Sequence, residues 1–368
     1  MENKSVAKFR NVLKKCHDLG ASDVHICVGA PWRFRLDGQM SMISNLPPLD
    51  LDEVREIIKH ILLVGRLSIQ ENVEEKVFNL KELDCSYSIP GVCRYRVNIC
   101  RQRGTFALVL RMIPFDPPTI DELKLPEVIR TISHEERGLI LVTGITGAGK
   151  TTTLAAMIEE ININFPKKIV TIEDPIEFLH RDKQSSIIQR EVGGDTESFA
   201  SALRGSLRQD PDCILVGEIR DKETIEIALK AAETGHIVMS TLHTTDAPKT
   251  IRRMMSLFDP NEQNEIRSRL AEALKAIISQ RLLRRIDQEG RIAVFEIMRQ
   301  TLAIQDAIEN PEKGASIKDY IARGRNEYGT QTFDQHLMEL FKAGVIDLAT
   351  AKAAATSPAD FARALDFE

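Results

Sequence analysis

The residues Gly144-Ile145-Thr146-Gly147-Ala148-Gly149-Lys150-Thr151 follow the spacing G-x-x-x-x-G-K-[ST], that of a loop that wraps phosphate. The residue types state the chemistry. Glycines let successive backbone N–H groups turn toward an anion, and a helix starting where the loop ends adds the positive end of its dipole. Lys150 is placed to reach β- and γ-phosphates and Thr151 to offer its hydroxyl to Mg²⁺, with Thr152 next to it in the same turn. The flanks agree. Leu139-Ile140-Leu141-Val142-Thr143 is a short apolar run, as a buried strand requires. From Thr152 to Ile163 there is no Gly or Pro, and Leu154, Met157, Ile158 and Ile161 recur at helical spacing. A nucleoside triphosphate with Mg²⁺ is the expected ligand.

Further apolar runs must position partners for that loop. They fall at 169–172, 213–216 and 237–241, with helical stretches at 150–163, 197–209 and 222–233 between them. Alternation of this kind predicts an α/β fold, a mainly parallel sheet flanked by helices. Ligands of such sheets bind at the carboxyl ends of the strands, so the residues after each run matter most. Those exits carry Glu173-Asp174-Pro175-Ile176-Glu177, then Gly217-Glu218-Ile219-Arg220-Asp221, then the stretch containing His243. An acid leaving an apolar strand serves metal or attacking water in phosphate-loop enzymes. Acids there can also be surface caps, but three such exits converging on one phosphate loop favour the chemical reading. His236 and His243 bracket the last run.

The chain before residue 114 reads differently. Val6, Phe9, Val12, Leu13 and Cys16 predict a helix that Gly20 ends, and a second helix spans 52–64. Runs at 24–28 and 32–36 read as strands, the latter closing on an Asp37-Gly38 turn. His25 reads as a strand-surface residue. Between 92 and 100, Cys93, Tyr95, Val97 and Ile99 alternate with Arg94, Arg96 and Asn98, which places the arginines on one face of a strand. Arg101 and Arg103 lie in the following loop and Arg111 on the returning strand. Five arginines on one hairpin make either a solvated face or an anion site, which a neighbouring subunit could use. Pro114, Pro117 and Pro118 then mark a stiff linker. Toward the C-terminus, Asp259-Pro260-Asn261-Glu262 predicts the start of a helix running to about Arg285. Thr332-Phe333-Asp334-Gln335 predicts a capping box, and 347–355 a helix. The expected divisions are 1–113, a linker over 114–130, a core over 131–298 and a helical region over 299–368.

Composition narrows the classes. A chain of 368 residues with 43% hydrophobic content suits a globular protein of about two domains. No apolar run is long enough for a transmembrane helix, and the first residues lack the apolar stretch of a signal peptide, so a cytoplasmic location is expected. The net charge of −5 does not favour a nucleic-acid partner. None of the six cysteines forms C-x-x-C, so buried free thiols are expected rather than a metal site.

These residues carry a family resemblance over nearly the whole chain. Gly20-Ala21-Ser22-Asp23-Val24-His25 is similar to an N-domain signature of the type II/type IV secretion-system ATPases. Thr171 to Phe178 resembles their Asp box, Asp210 to Asp221 their Walker B region, and Ala232 to Thr244 their His box. Within the family the chain resembles the PilT-like pilus retraction motors. The resemblance implies a PAS-like N-terminal domain, a RecA-like ATPase domain and a homohexamer that hydrolyses ATP with Mg²⁺. It implies nucleotide between the domains and an inner-membrane platform protein as partner, with a paralogous retraction ATPase as a further candidate. Peripheral association with the inner-membrane pilus machinery follows. Carried over, Thr151, Glu173 and Glu218 serve Mg²⁺, directly or through water. Glu218 is the base or water-positioning group, and His243 senses the γ-phosphate. Arg96 and Arg111 neutralise charge, with Arg94, Arg103 and His236 as further nucleotide contacts.

Two departures discriminate. Assembly and secretion members carry a tetracysteine motif after Gln-Arg-Leu, whereas Gln280-Arg281-Leu282-Leu283 is followed by no cysteine. Retraction motors carry an Ala-Ile-Arg-Asn-Leu-Ile motif, and this chain reads Ala303-Ile304-Gln305-Asp306-Ala307-Ile308. Principal motor and divergent paralogue are both compatible with that change. An assembly ATPase, a non-hydrolysing regulatory subunit and a nucleic-acid translocase are the rival readings.

Overall fold

The computed structural model describes residues 3–36, 38–43, 45–65, 72–113 and 116–366. Asp37 and Pro114, to which a turn and the linker start were assigned, lie outside them. The chain divides into two units, one comprising 1–117, 174–181 and 190–197 and the other 118–173, 182–189 and 198–368.

The first unit is built on a six-stranded antiparallel sheet. Its strands are β1 (Asp23–Cys27), β2 (Arg33–Leu36), β3 (Gln39–Met42), β4 (Glu82–Ile89), β5 (Cys93–Gln102) and β6 (Thr105–Ile113). They run in the order β3-β2-β1-β6-β5-β4. The helix Lys4–Asp18 buries the apolar residues expected of it, Val6, Phe9, Val12, Leu13 and Cys16. The helix Leu51–Val64 opens on a capping box between Asp50 and Glu53. Both contribute to one core with Trp32, Tyr87 and Tyr95. In β5 the apolar set is buried and Arg94 and Arg96 sit on the other face, as alternation dictates.

The second unit holds a seven-stranded sheet of β7 (Gly138–Thr143), β8 (Lys168–Glu173), β9 (Ser186–Glu191), β10 (Cys213–Val216), β11 (Ile237–Leu242), β12 (Leu274–Arg284) and β13 (Arg291–Arg299). The order is β13-β12-β7-β11-β10-β8-β9, and the last two residues of β9 belong to the first unit. β12, β7, β11, β10 and β8 are mutually parallel. Every residue of β7, β10 and β11 is buried, which explains their unbroken apolar runs. Within residues 302–366 the regular elements are helices, joined by short connections.

Two expectations are corrected. The helix expected from Asp259 to Arg285 starts at Gln263, ends at Ala273 and gives way to β12. Its first turn is capped by no side chain; the Glu262 carboxylate accepts from the Asp259 N–H instead. The run Ala276-Ile277-Ile278 has a pairing partner on each side, Ile140 to Val142 of β7 and Ile297 to Arg299 of β13. Tertiary pairing therefore overrides a periodicity that suited a helix. The linker is also shorter than expected, because Ile120, Leu125, Ile129 and Ile132 are buried in the second unit's core.

The outer edge of β13 is closed by the C-terminal helices, which keeps it from pairing with another chain. The Ile297 N–H donates to Gln331 O at 2.8 Å and the Gln331 N–H returns to Ile297 O at 3.1 Å. The Phe295 N–H donates to His336 Nδ1 at 3.1 Å. Burial, then the charge of Arg325, pushes the His336 pKa down to about 4. An imidazole neutral in the fold but protonated in the unfolded chain below about pH 6.5 makes stability rise with pH across that window. Acidification through it should therefore cost about 3 kcal/mol at this residue. His336→Leu loses the acceptor at every pH, so its deficit against the parent in urea denaturation should narrow between about pH 6.5 and about pH 4. Parallel pH profiles would remove His336 from that role.

Candidate nucleotide site

The phosphate-loop residues leave the carboxyl end of β7 and enter the helix Lys150–Asn164, which carries no acid in its first turn. Its dipole is thus left available for an anion. Gly149 caps the helix at φ 90°, a left-handed conformation. Gly144 is required for a different reason: a Cβ there would sit 2.6 Å from the backbone oxygen of Gln280. Lys150 is buried, and its Nζ donates to the carbonyls of Gly144 at 3.0 Å and Ile145 at 3.2 Å. The ammonium is thereby folded back over the cradle. Thr151 and Thr152 are half-buried in the first turn, Ile145 is exposed, and Thr146, Gly147 and Ala148 complete the loop.

The neighbouring strand ends supply the remaining chemistry. Gly217 and Glu218 follow β10. The loop is pinned by the Gly217 N–H donating to Ile172 O at 2.8 Å and the Thr241 hydroxyl donating to Gly217 O at 2.7 Å. One Glu218 carboxylate oxygen pairs with Arg220, and the other lies 3.6 Å from Nε2 of His243, the residue that follows β11. Burial lowers the His243 pKa and the charge of Lys150 lowers it further, while Glu218 opposes both. Lys150, Glu218 and His243 therefore share one electrostatic environment, in which His243 is held neutral.

Glu173 ends β8, two strands beyond β11 and so about 10 Å further along the row. It is buried, and Oε1 accepts from the Thr171 hydroxyl at 2.6 Å and from the Gln189 amide at 3.1 Å. Among the described residues no group of three or more His, Cys, Asp and Glu side chains could hold a metal alone. Mg²⁺ bound with a nucleotide keeps waters and phosphate oxygens and takes one or two protein ligands. The cradle that a Cβ would fill, the Thr151 hydroxyl and the Glu218 and Glu173 carboxylates fit a Mg²⁺-nucleotide.

His236 is not brought to this end. It precedes β11, at the opposite edge of the sheet from His243 and roughly 20 Å along the strand. Its Nδ1 meets the Ala231 carbonyl at 2.9 Å, so it finishes a helix rather than touching the loop.

The arginine candidates lie in the first unit. Arg94 donates to Glu191 at 2.7 Å and to the Ser86 hydroxyl at 2.7 Å. That commits it to structure and argues against a nucleotide role. Arg101 donates to the carbonyls of Leu80 and Phe78, and Arg103 is exposed at φ 46° in the turn. Arg96 and Arg111 are directly opposite across β5 and β6. Like charges so placed cost up to about 1 kcal/mol, which Glu177 at 3.8 Å and Asp23 at 2.9 Å offset. Burial works to raise the Asp23 pKa, but the Ser22 hydroxyl and Arg111 outweigh it and hold the pKa low. Arg111 remains 69% exposed.

Sequence reasoning assigned no role to Gln189, Arg220 or Gln280. For Gln280 the one signal is its place in the polar step Ser279-Gln280-Arg281 between the apolar residues 276–278 and 282–283.

The family described as "Type II/IV secretion system protein" matches residues 2–353. The chain belongs to the type II/IV secretion system protein family. As a member of that family it is an ATPase with an α/β fold. It is 45% identical over 343 residues to a Pseudomonas aeruginosa protein named type IV pilus retractation ATPase PilT, covering 93% of this chain and 96% of that one. It is 36% identical over 355 residues to the type IV pilus ATPase PilU of the same organism, covering 96% and 90%. A crystal structure of the pilus retraction motor PilT with bound ADP superposes with a TM-score of 0.86 at 40% identity, covering 96% of this chain and 98% of that one. Among the described residues of this family member, no helix is long and apolar enough to cross a membrane.

Proposed function

We propose that this chain is a Mg²⁺-dependent ATPase motor that retracts type IV pili. The observation that carries the reading is the row formed by the phosphate loop, His243 and Glu218 at adjacent parallel strand ends, in a chain 45% identical to a retraction ATPase over 93% of its length. The loop N–H groups and Lys150 balance phosphate charge, and the Thr151 hydroxyl would hold Mg²⁺, which when bound would supply further charge neutralisation. Glu218 orients water toward the γ-phosphate, and Glu173 holds water at the next strand end. Neutral His243 reads the γ-phosphate as a hydrogen-bond partner. Catalysis of this kind rests on positioning and charge rather than on covalent chemistry. Arg96 and Arg111 add positive charge to a nucleotide held by a neighbouring copy.

The motor acts as a homohexamer on an inner-membrane platform protein at the pilus base. The identities of 45% to PilT and 36% to PilU favour the principal motor, whereas Gln305 in place of the motif arginine favours a paralogue. Deleting the gene in its host decides between them. Pili that form but do not retract are expected of the principal motor. Normal retraction would assign the chain to an accessory paralogue, and loss of pili would overturn retraction in favour of assembly.

A further inference from the structure

We propose that Gln280 is a positioning residue for the phosphate loop, fixing the Ala148–Gly149 peptide plane so that the Gly149 N–H faces the phosphate. The proposal rests on the nucleotide-site reading above and names the residue that sets its backbone geometry.

Gln280 is 2% exposed on β12, between β7 and β13. Its Nε2 donates to the Ala148 carbonyl at 2.5 Å, across 132 residues of sequence. Among the described residues the only cis peptide is Asp174–Pro175, so the Ala148–Gly149 bond is trans. In a planar trans peptide the C=O and the following N–H point in opposite directions. A carbonyl held against β12 therefore turns the Gly149 N–H away from β12, toward the concave side of the loop. Gly149 permits the approach, since a Cβ there would lie 3.1 Å from Nε2. Reversing the amide would set oxygen against oxygen, so the donor assignment is chemically forced.

The other end of the side chain shows that stability is not what this residue provides. Gln280 Oε1 is buried and has no hydrogen-bond partner among the described residues. An unsatisfied buried acceptor costs at least as much as one neutral hydrogen bond gains. An apolar residue of equal length removes that cost and leaves the Ala148 carbonyl without its donor, so the two changes offset each other in fold stability. Nucleotide affinity should thus fall while fold stability stays nearly unchanged, which a structural residue would not show.

Two full-length variants test this, with ADP as the probe in the presence of Mg²⁺. Gln280→Met keeps the length and removes the donor. Its melting temperature without nucleotide should stay within about 4 °C of the parent's, while its Kd for ADP rises about five- to tenfold, the worth of one hydrogen bond. KM for ATP should rise with it while kcat changes less. Gln280→Glu keeps the shape, and its carboxyl can donate to Ala148 only when protonated. Its ADP affinity relative to the parent should recover from about pH 8 to about pH 6, where a buried carboxyl titrates, and the methionine variant should show no such recovery. Affinities within twofold of the parent would overturn the proposal, as would an affinity loss matched by a fall in melting temperature in both variants. A parent protein that fails to bind ADP would instead overturn the nucleotide-site reading.

Discussion

Lys150→Ala should reduce ATP turnover by at least about a hundred- to a thousandfold while leaving the fold in place. The ammonium is buried with the Gly144 and Ile145 carbonyls among its partners at 3.0 and 3.2 Å, and burying a charge is costly. Deleting it removes that cost together with the bonds the ammonium makes, the two to Gly144 and Ile145 among them. The melting temperature without nucleotide should therefore move by no more than about 4 °C. The functional loss is unequal to this because the charge has no substitute in the loop. Arg220 is paired with Glu218, and His243 is held neutral by burial and by Lys150 itself. A ligand that binds only the folded state raises the melting temperature, so the ATP-induced shift seen with the parent should vanish. Hydrolysis within tenfold of the parent would sink the assignment of Lys150. One further reading is diagnostic: with Lys150 gone, a charge that lowers the His243 pKa is gone, and the imidazole resonance should titrate at higher pH than in the parent.

How far the sequence reaches is clear from particular elements. The strand β7 and the loop after it were legible because a fully buried parallel strand leaves an unbroken apolar run and the motif glycines answer a local need. The ends of β10 and β11 were legible for the same reason, and with them Glu218 and His243. The second half of β12 was not. Ile266, Leu270, Ala271 and Leu274 keep helical spacing through the true helix, and nothing local marks the change at Leu274. What makes β12 a strand is β7 on one side, more than a hundred residues earlier in sequence, and β13 on the other, which follows after residues 285–290. The misreading hid Gln280, whose neighbour Ala148 is equally distant.

The arginine hairpin divides in the same way. Alternation placed Arg94 and Arg96 on one face of β5, but the partner decides the role, and partners are not local. Glu191 captures Arg94 from 97 residues away, which leaves Arg96 and Arg111 as the cross-strand pair with charge to offer. His236 and His243 show the limit most simply. The two flank one strand in sequence, yet opposite ends of a parallel sheet have opposite uses, and only the carboxyl end meets the loop.

Glu218→Gln should lower kcat about a hundred- to ten-thousandfold, the range for losing a positioned base, and leave ADP affinity near the parent's. The carboxylate sits at the strand end next to the loop strand's neighbour and touches Arg220 and His243 rather than the loop glycines. It therefore contributes to water and metal more than to phosphate binding. A glutamine of the same shape can still accept from Arg220 through its one amide oxygen, with its NH2 facing His243, and the Gly217 turn is held independently by Ile172 and Thr241. The charge change has its own signature. Glu218 is the neighbour that raises the His243 pKa against burial and Lys150, so in the glutamine variant His243 should titrate lower still. This shift is opposite in sign to the one expected of Lys150→Ala, and it separates two losses of activity that a turnover assay alone would equate. Near-normal kcat would remove Glu218 from the water-positioning role. A fall in ADP affinity as large as the fall in kcat would show that it holds the loop rather than the water, and would make Glu173 the next carboxylate to test.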